Sequence, residues 1–403
     1  MKRLFKKFVA AAAAITLLVP VNSPVIYAAL NNADVQSVSV ASYSSDQIFS
    51  DFEEAAPYLR SQIRNRTKNI TISLSSSIYS GDLNDTIKNL FTAALAETGI
   101  PDEGDYMRFG IHGMNCSASI NSKTIICRLT MDYFTTADQE KMTDQKISEV
   151  IKSLDLNGCS NYEKICRIYE YVINCAEYEY DQTDYPERYS AYGALFNDKA
   201  VCQGFSQLFY RLSLEAGVPC RIIAGSDHTW NIARIGSVYY LLDPTWDEFR
   251  TKVDQCHYFL KGTKDFDEFS ASLGETASAH EASGDVTALR PGYLSEEFSK
   301  RYPVSDYAYS PETTPTQTFI LGDVDENGII TGSDATIALT AYTKLSSFRD
   351  HGLTDTQFAA ADANGDGIIT GSDATLILNY YTLISSGYKF SMEDYISDMF
   401  SRK

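Results

Sequence analysis

Positive charge is in short supply in this 403-residue chain: 34 Lys and Arg stand against 53 Asp and Glu, a formal net charge of −19. A polyanionic surface repels phosphate, which excludes nucleic acid and anionic lipid as expected partners. Long apolar runs are missing as well. The one run of note, residues 8–19, falls short of the about 20 apolar residues that span a bilayer, and no later stretch approaches that length, so no membrane span is expected in the mature chain. Histidine occurs five times and tryptophan twice, so chemistry that needs imidazole has few positions to use. His112, His280 and His351 stand alone, with no metal-ligand spacing around them, and read as satisfied or solvated side chains.

Lys2, Arg3, Lys6 and Lys7 precede the apolar run, Pro20 closes it, and Ala28 and Ala29 offer a small-residue cleavage site. This is the pattern of a secretory signal peptide over residues 1–28, so the protein is expected to be secreted. Losing four basic and no acidic residues takes the formal charge from −19 to −23. The remaining length allows two or three domains, and a hydrophobic content of 44% is enough to build their cores. Eight cysteines are present: Cys116, Cys127, Cys159, Cys166, Cys175, Cys202, Cys220 and Cys256. Cys116 and Cys127 lie on adjacent strand-like runs and could bridge; spacing alone does not give connectivity.

Residues 29–150 read as an α+β region. A helix is expected over 47–66, a strand over 69–74, a helix over 83–97, strand-like runs over 106–120 and 123–133, and a helix over 140–154. No catalytic constellation falls in this region.

The most informative stretch is residues 190–247. After Cys202, the apolar residues Phe205, Leu208, Phe209 and Leu212 recur at helical spacing, which places Cys202 at a helix start. Unpaired amides and the positive end of the helix dipole favour a thiolate there. Gly217 and Pro219 stop the helix. Two strand-like runs follow, residues 228–233 and 238–242, with Gly236 in the turn between them. A hairpin centred between Ile235 and Gly236 would set His228 directly across from Asp243, so the carboxylate could hold the imidazole while its other nitrogen meets the thiol. Cys202, His228 and Asp243 are therefore the candidate catalytic residues. His257 is a rival base but lies outside the hairpin. Trp230 and Trp246 are expected to wall the site or fill core.

This segment resembles the transglutaminase-like superfamily of papain-fold enzymes. The resemblance is carried by AVCQGFSQLF (residues 200–209), DHTWN (227–231) and LLDPTWD (241–247), preceded by NYEKICRIYEYV (161–172) and SAYGAL (190–195). It implies a core over residues 151–300 with Cys202 as nucleophile, His228 as base and Asp243 as third member, and no cofactor for catalysis. The superfamily includes peptidases, cross-linking or deamidating acyltransferases, and members without catalysis. Phe196 stands six residues before Cys202, where papain-like peptidases carry an oxyanion-binding Gln.

Residues 301–320, rich in Pro and Thr towards their end, read as a semi-extended linker. Beyond it lie two twelve-residue loops offset by 39, DVDENGIITGSD from Asp323 and DANGDGIITGSD from Asp362. Alternating oxygens at positions 1, 3, 5, 7, 9 and 12 are how a tight loop surrounds calcium, with Gly at position 6 for the bend. The candidate ligands are Asp323, Asp325, Asn327, the Ile329 carbonyl, Thr331 and Asp334, then Asp362, Asn364, Asp366, the Ile368 carbonyl, Thr370 and Asp373. Asp replaces the usual Glu at position 12, and its shorter arm requires a closer approach of loop to helix. Helical runs are expected over 335–345 and 374–384.

The duplicated loop-helix pattern resembles a type I dockerin, over residues 321–390. The resemblance implies two structural calcium ions, a cohesin domain of a scaffoldin as partner, and cohesin contacts at Gly332, Ser333, Gly371 and Ser372. The fold class expected for the whole chain is α+β: a papain/transglutaminase-like core behind an α+β N-terminal region, linked to a small all-α calcium-binding dockerin with two loop-helix repeats. The expected function is that of a secreted, cellulosome-associated cysteine enzyme that cleaves peptide or amide bonds of a protein or peptide substrate through an acyl-enzyme, as a peptidase. Protein cross-linking or deamidation, and an idle protein- or glycan-binding module, are the alternatives.

Overall fold

The computed structural model describes residues 14–17, 47–79, 81–180, 185–273, 280–287, 289, 291–310, 319–346, 351–365 and 368–401. The expected signal peptide lies outside these apart from β1 (Ala14–Leu17). Strand β2 (Ile48–Phe49) precedes α1 (Phe52–Arg64), whose start is set by the Asp51 carboxylate accepting from the Glu54 amide at 2.8 Å. The helix thus begins later than its apolar spacing suggested. Strand β3 (Asn69–Ser75), α2 (Leu83–Ala94), the short α3 (Asp105–Phe109), β4 (Ile111–Ile120) and β5 (Thr124–Tyr133) follow.

The run expected as one strand over 106–120 is therefore a helical turn and then a strand. Gly104 makes this possible: its φ is +55°, and a Cβ there would sit 2.5 Å from a Glu97 carboxylate oxygen. The strands form one sheet in the order β1-β4-β5-β3-β2. Ile70, Ile72, Leu74, Ile125, Cys127 and Leu129 point from one face of it into a core shared with α1 and α2. All eight cysteines are unbridged, and Cys116 and Cys127 lie buried as free thiols in this core.

Helices α4 (Ala137–Leu154) and α5 (Asn161–Ile173) both open on capping boxes, Thr136 with Gln139 and Ser160 with Glu163. Strand β6 (Glu177–Tyr178) pairs with β7 (Lys199–Ala200), and α6 (Ala191–Phe196) lies between them in sequence. Helix α7 (Cys202–Glu215) is buried along nearly its whole length and packs on a three-stranded sheet of β8 (Cys220–Ala224), β9 (Thr229–Ile235) and β10 (Val238–Leu242), in the order β10-β9-β8. Strand β8, buried at all five residues, was not foreseen. Two short helices, α8 (Glu268–Ser272) and α9 (Glu296–Arg301), close this unit. Residues 302–310, within the expected linker, run beside β10, where the Tyr239 amide donates to Pro303 and the Ser305 amide to Tyr239.

A buried polar knot joins α3 to this second unit. Arg221 on β8 donates to Asp105 at 2.7 and 2.9 Å, Tyr210 on α7 donates to Glu97 at 2.6 Å, and the Asp105 amide donates to Glu97 at 2.7 Å. Tyr106 and Phe109 accordingly belong to the hydrophobic cluster of α7, not to that of the first sheet.

The C-terminal part consists of α10 (Gly332–Ser346), α11 (Asp355–Ala361), α12 (Gly371–Ser385) and α13 (Met392–Ser401). The two helices after the loops start three residues earlier than expected, because each takes in the loop's Gly-Ser-Asp. Their cores are small residues, Ala335, Ala338, Ala341 and Ala374, with Ile369, Ile377 and Tyr380.

Two predictions concern this architecture. Burial pushes the Glu97 carboxyl up, and Asp105 beside it adds to the effect against the pull of Arg221, to about 8. Between the ordinary carboxylate range and pH 8 the folded chain holds a proton that the unfolded chain has lost, so this contribution is full at low pH and drains away as pH rises to about 8. Glu97→Gln should therefore flatten part of the fall in melting temperature between pH 5 and pH 8; an unchanged pH dependence would refute the assignment. Gly204 lies in the first turn of α7, where a Cβ would sit 2.8 Å from both the Arg188 carbonyl and Ala200 Cβ. Gly204→Ala should lower stability by about 1–3 kcal/mol in denaturant titration, through overpacking that outweighs the gain in helix propensity. A stabilised variant would show that the contact relaxes freely.

Candidate active site

Cys202 is the first residue of α7, and the helix opens without a side-chain cap because its N-cap is Val201. The Gly204 amide donates to the Val201 carbonyl at 2.8 Å, no side chain caps the amides ahead of it, and the helix dipole acts on the thiol. The helix start is pinned from several sides. Gln203 Nε2 donates to the Phe109 and Tyr189 carbonyls, both at 2.8 Å, so this amide is structural. Ser206 Oγ meets Thr229 Oγ1 at 3.3 Å, and Asn231 Nδ2 donates to the Ser206 carbonyl at 3.1 Å, which fixes α7 against β9.

Residues His228 and Asp243 lie just outside the paired ends of β9 and β10. The observed register pairs Val238 with Ile235 and Leu242 with Asn231. The turn is therefore Gly236-Ser237, one residue later than expected, with Gly236 at φ +62°. This corrects the direct pairing of His228 with Asp243: extending the ladder puts Asp243 across from Trp230, and His228 is its diagonal neighbour on the same face. The contact survives the slip because two-residue periodicity keeps side chains 228, 230 and 243 on one side of the sheet. His228 Nε2 lies 2.7 Å from Asp243 Oδ2, and the imidazole is close enough to the Cys202 thiol to lower its affinity for a proton. Asp243 Oδ1 accepts from the amides of Thr245 at 2.9 Å and Trp246 at 3.3 Å.

The three expected site residues are thus brought together, and all are buried: Cys202 is 4% exposed, His228 7% and Asp243 0%. Burial would push the thiol up, but the hydrogen bond and charge of His228, with contacts from Thr229, hold Cys202 below the ordinary thiol value. Burial also opposes charge on His228, yet the charge and hydrogen bond of Asp243, followed by Cys202, raise it to about 10. Asp243 is held well below the usual carboxylate range despite burial, first by His228 and then by His280. The opposite shifts, thiol down and imidazole up, both favour the thiolate–imidazolium form of the pair.

Sequence reasoning missed one member of this cluster. His280 is buried against Asp243, with its Nε2 3.1 Å from Oδ2. It lies 37 residues beyond Asp243 in a stretch with no repeating apolar pattern, so no periodicity pointed to it. Trp230 and Trp246 flank His228 with ring centroids at 6.1 and 5.5 Å, as walls of the site. His257 is elsewhere: it stacks on Phe269 at 3.6 Å, and its backbone amide donates to Asp247. Asp247, fully buried, also accepts from Tyr169 and the Tyr258 amide and so anchors the chain beside β10. Phe196 stacks on Tyr192 at the end of α6 and brings no polar group to the site.

In the first C-terminal loop, Asp323, Asp325 and Asp334 bring carboxylate oxygens within 4.8 Å of one another. Asp323 accepts from the Asn327 and Gly328 amides; Asp334 accepts from Val324, Asp325 and Thr331. Three carboxylates this close repel unless a cation sits among them, and an all-oxygen set fits a hard ion such as calcium. The shorter Asp arm works because Asp334 stands in the first turn of α10, directly over the loop. In the second loop Asp373 accepts from the Asn364 and Thr370 amides in the same way; Asp366 lies outside the described residues. Gly332 with Ser333, and Gly371 with Ser372, open α10 and α12.

No helix among the described residues is long and apolar enough to cross a membrane. Comparison with known proteins bears on both units. No curated protein matches the chain. A solved structure described as a TGase is similar at 18% identity over 53% of this chain, with a TM-score of 0.27; the match spans 63% of that protein, under two thirds of its length. Residues 149–258 match the model of the transglutaminase-like superfamily, the span that holds Cys202, His228 and Asp243, and residues 321–381 match that of the dockerin type I domain. The chain thus carries a transglutaminase-like domain followed by a type I dockerin, the calcium-binding module whose partner is a cohesin.

Proposed function

We propose that this protein is a secreted thiol enzyme that cleaves peptide or amide bonds and is held in a cellulosome by its dockerin. The observation that carries this is the grouping of Cys202 at the start of α7 with His228, which lowers the thiol, and the buried Asp243 carboxylate 2.7 Å from that imidazole. Such a grouping supplies a nucleophile, a proton carrier and an orienting group.

In the proposed reaction the Cys202 thiolate attacks the carbonyl carbon, and the Cys202 backbone amide donates to the developing oxyanion. The C–N bond breaks as the His228 imidazolium passes its proton to the departing amine, leaving an acyl-enzyme. His228, now neutral, takes a proton from water; hydroxide attacks the thioester, and Cys202 leaves as thiolate. Asp243 stays ionised throughout and holds the imidazole in place. An amine in place of water would give transamidation by the same steps.

Acyl transfer by the mature protein should be measured beside Cys202→Ala, on a mixed protein substrate with a labelled amine present. New peptide termini that depend on Cys202, falling by about 10³-fold or more in the variant, are the expected outcome. Incorporated amine would mean a transglutaminase instead. Neither product would favour a binding module and sink the enzymatic proposal.

The dockerin is proposed to hold two calcium ions, one by Asp323, Asp325, Asn327, the Ile329 carbonyl, Thr331 and Asp334, the other by Asp362, Asn364, Asp366, the Ile368 carbonyl, Thr370 and Asp373. Its two helix starts are equivalent: a Cβ on Gly332 would lie 3.9 Å from the Tyr381 ring, and one on Gly371 3.9 Å from the Tyr342 ring, residue pairs that interchange under the 39-residue offset. Either start could therefore face a cohesin. Gly332→Leu with Ser333→Arg should weaken binding to a type I cohesin by only about twofold, the statistical loss of one of two modes, and changing Gly371 and Ser372 as well should abolish it. Complete loss from the first pair alone would refute two-way docking.

A further inference from the structure

His280 has no role in the steps above, yet it is built into the same carboxylate. Asp243 Oδ2 faces two imidazoles, His228 Nε2 at 2.7 Å and His280 Nε2 at 3.1 Å. The other nitrogen of His280, Nδ1, meets Asp267 Oδ1 at 2.5 Å, just ahead of α8. The ring is 1% exposed and boxed by Phe266 at 4.3 Å, Trp246 at 4.6 Å, Trp230 at 5.2 Å, His228 at 5.4 Å and Tyr258 at 5.6 Å. The charged or titratable groups facing it are Asp243, Asp267, His228 and Tyr258, with Cys202 beyond His228.

A neutral imidazole can donate at only one nitrogen. With an ionised carboxylate at each nitrogen, only the doubly protonated ring satisfies both. Burial opposes that charge, but Asp243 and Asp267 outweigh it and raise His280 above the ordinary histidine value. Asp243 is consequently saturated: two backbone amides on Oδ1 and two imidazoles on Oδ2.

We propose that His280 is a positioning residue for the Cys202–His228 pair, an imidazolium clamped between Asp243 and Asp267 that locks the Asp243 carboxylate and limits how tightly it holds a charged His228. The role rests on Cys202 and His228 acting as nucleophile and base. Two effects follow from one contact. The bond at Oδ2 stops the carboxylate from turning about its Oδ1 anchors, which keeps His228 aimed at the thiol. A second cation beside Asp243 also disfavours charge on His228, so its proton passes more readily to a departing amine.

The test compares full-length wild type with His280→Phe, which keeps the ring packing without the hydrogen bonds, and His280→Gln, which keeps a donor towards Asp243 without the charge. The first readout is the rate of Cys202 alkylation by iodoacetate against pH; this anionic reagent prefers the thiolate–imidazolium pair, so its rate falls as His228 loses its proton. The second is kcat and KM for the cleavage detected above. Both variants should move the alkaline limb up by about one pH unit. His280→Phe should also lower kcat about tenfold with KM little changed, the effect of one lost hydrogen bond to a charged group, and His280→Gln should recover most of that loss. If His280→Phe fails to fold, the limb shift in His280→Gln carries the test. Variants that fold like the wild type and share its alkylation profile would overturn the role of His280 alone. A wild-type Cys202 that iodoacetate does not alkylate would overturn the nucleophile assignment, and this role with it.

Discussion

A carboxylate with no exposure to water must find its solvation inside the protein, and Asp243 is the clearest case in this chain. Its oxygens are satisfied by two amides of the turn that follows it and by two histidines from different parts of the chain. Each of those donors is itself positioned. The turn amides come from a Asp-Pro-Thr-Trp segment in which Pro244, having no N–H, leaves the next two amides to fold back on the carboxylate. His228 is held at the mouth of a hairpin, and His280 by Asp267 and four aromatic rings. Removing either histidine would leave charge exposed to a low dielectric, so the burial of Asp243 and the geometry around Cys202 form one constraint.

A second buried charge does for the scaffold what Asp243 does for the site. Arg221 sits in a strand that is otherwise apolar, an expensive place for a guanidinium unless it is fully paired. Asp105 pairs it through a two-pronged contact, Glu97 adds a second carboxylate at 3.3 Å, and the Tyr302 ring lies 4.5 Å over it. Burial and the neighbouring Asp105 carboxylate together outweigh the pull of Arg221 on Glu97, which therefore shows a raised affinity for its proton. The knot couples residues of the N-terminal region to β8, whose partner β9 leads directly from His228. Distortion at Asp105 therefore has a short path to the active-site hairpin.

The helix that begins at Cys202 was legible because its apolar residues recur at helical spacing and its start is unambiguous. The hairpin was legible in its strands but not in its register: Gly236 was rightly placed in the turn, yet whether it is the first or second turn residue depends on local backbone twist that residue types do not specify. That one-residue shift moved the pairing sum without separating His228 from Asp243, since the diagonal contact lies on the same face. His280 was illegible for a different reason. It has no periodic context, and its partners, Asp243 and Asp267, are joined to it only by tertiary packing. Strand β8 hid behind the same limit, because a five-residue apolar run with an arginine at its second position is a strand only if something distant neutralises the arginine. The two repeated loops lie at the other extreme, with all the candidate ligands of each inside twelve residues.

The duplicated loops also show how a local device can stand in for a large core. Nearly half of the buried cluster beneath them, among the described residues, is alanine, which provides modest apolar burial for a unit of this size. Three carboxylates concentrated in the first loop repel one another without a cation, so a cation bound there would couple to folding. Asp334 takes part in both, since the carboxylate that would face the ion also accepts from amides of the loop before α10. A Glu at that position could reach an ion from further along the helix. The shorter Asp can do so only if the helix begins inside the loop, and that is why Gly332 and Ser333 are drawn into its first turn and stand at its exposed end.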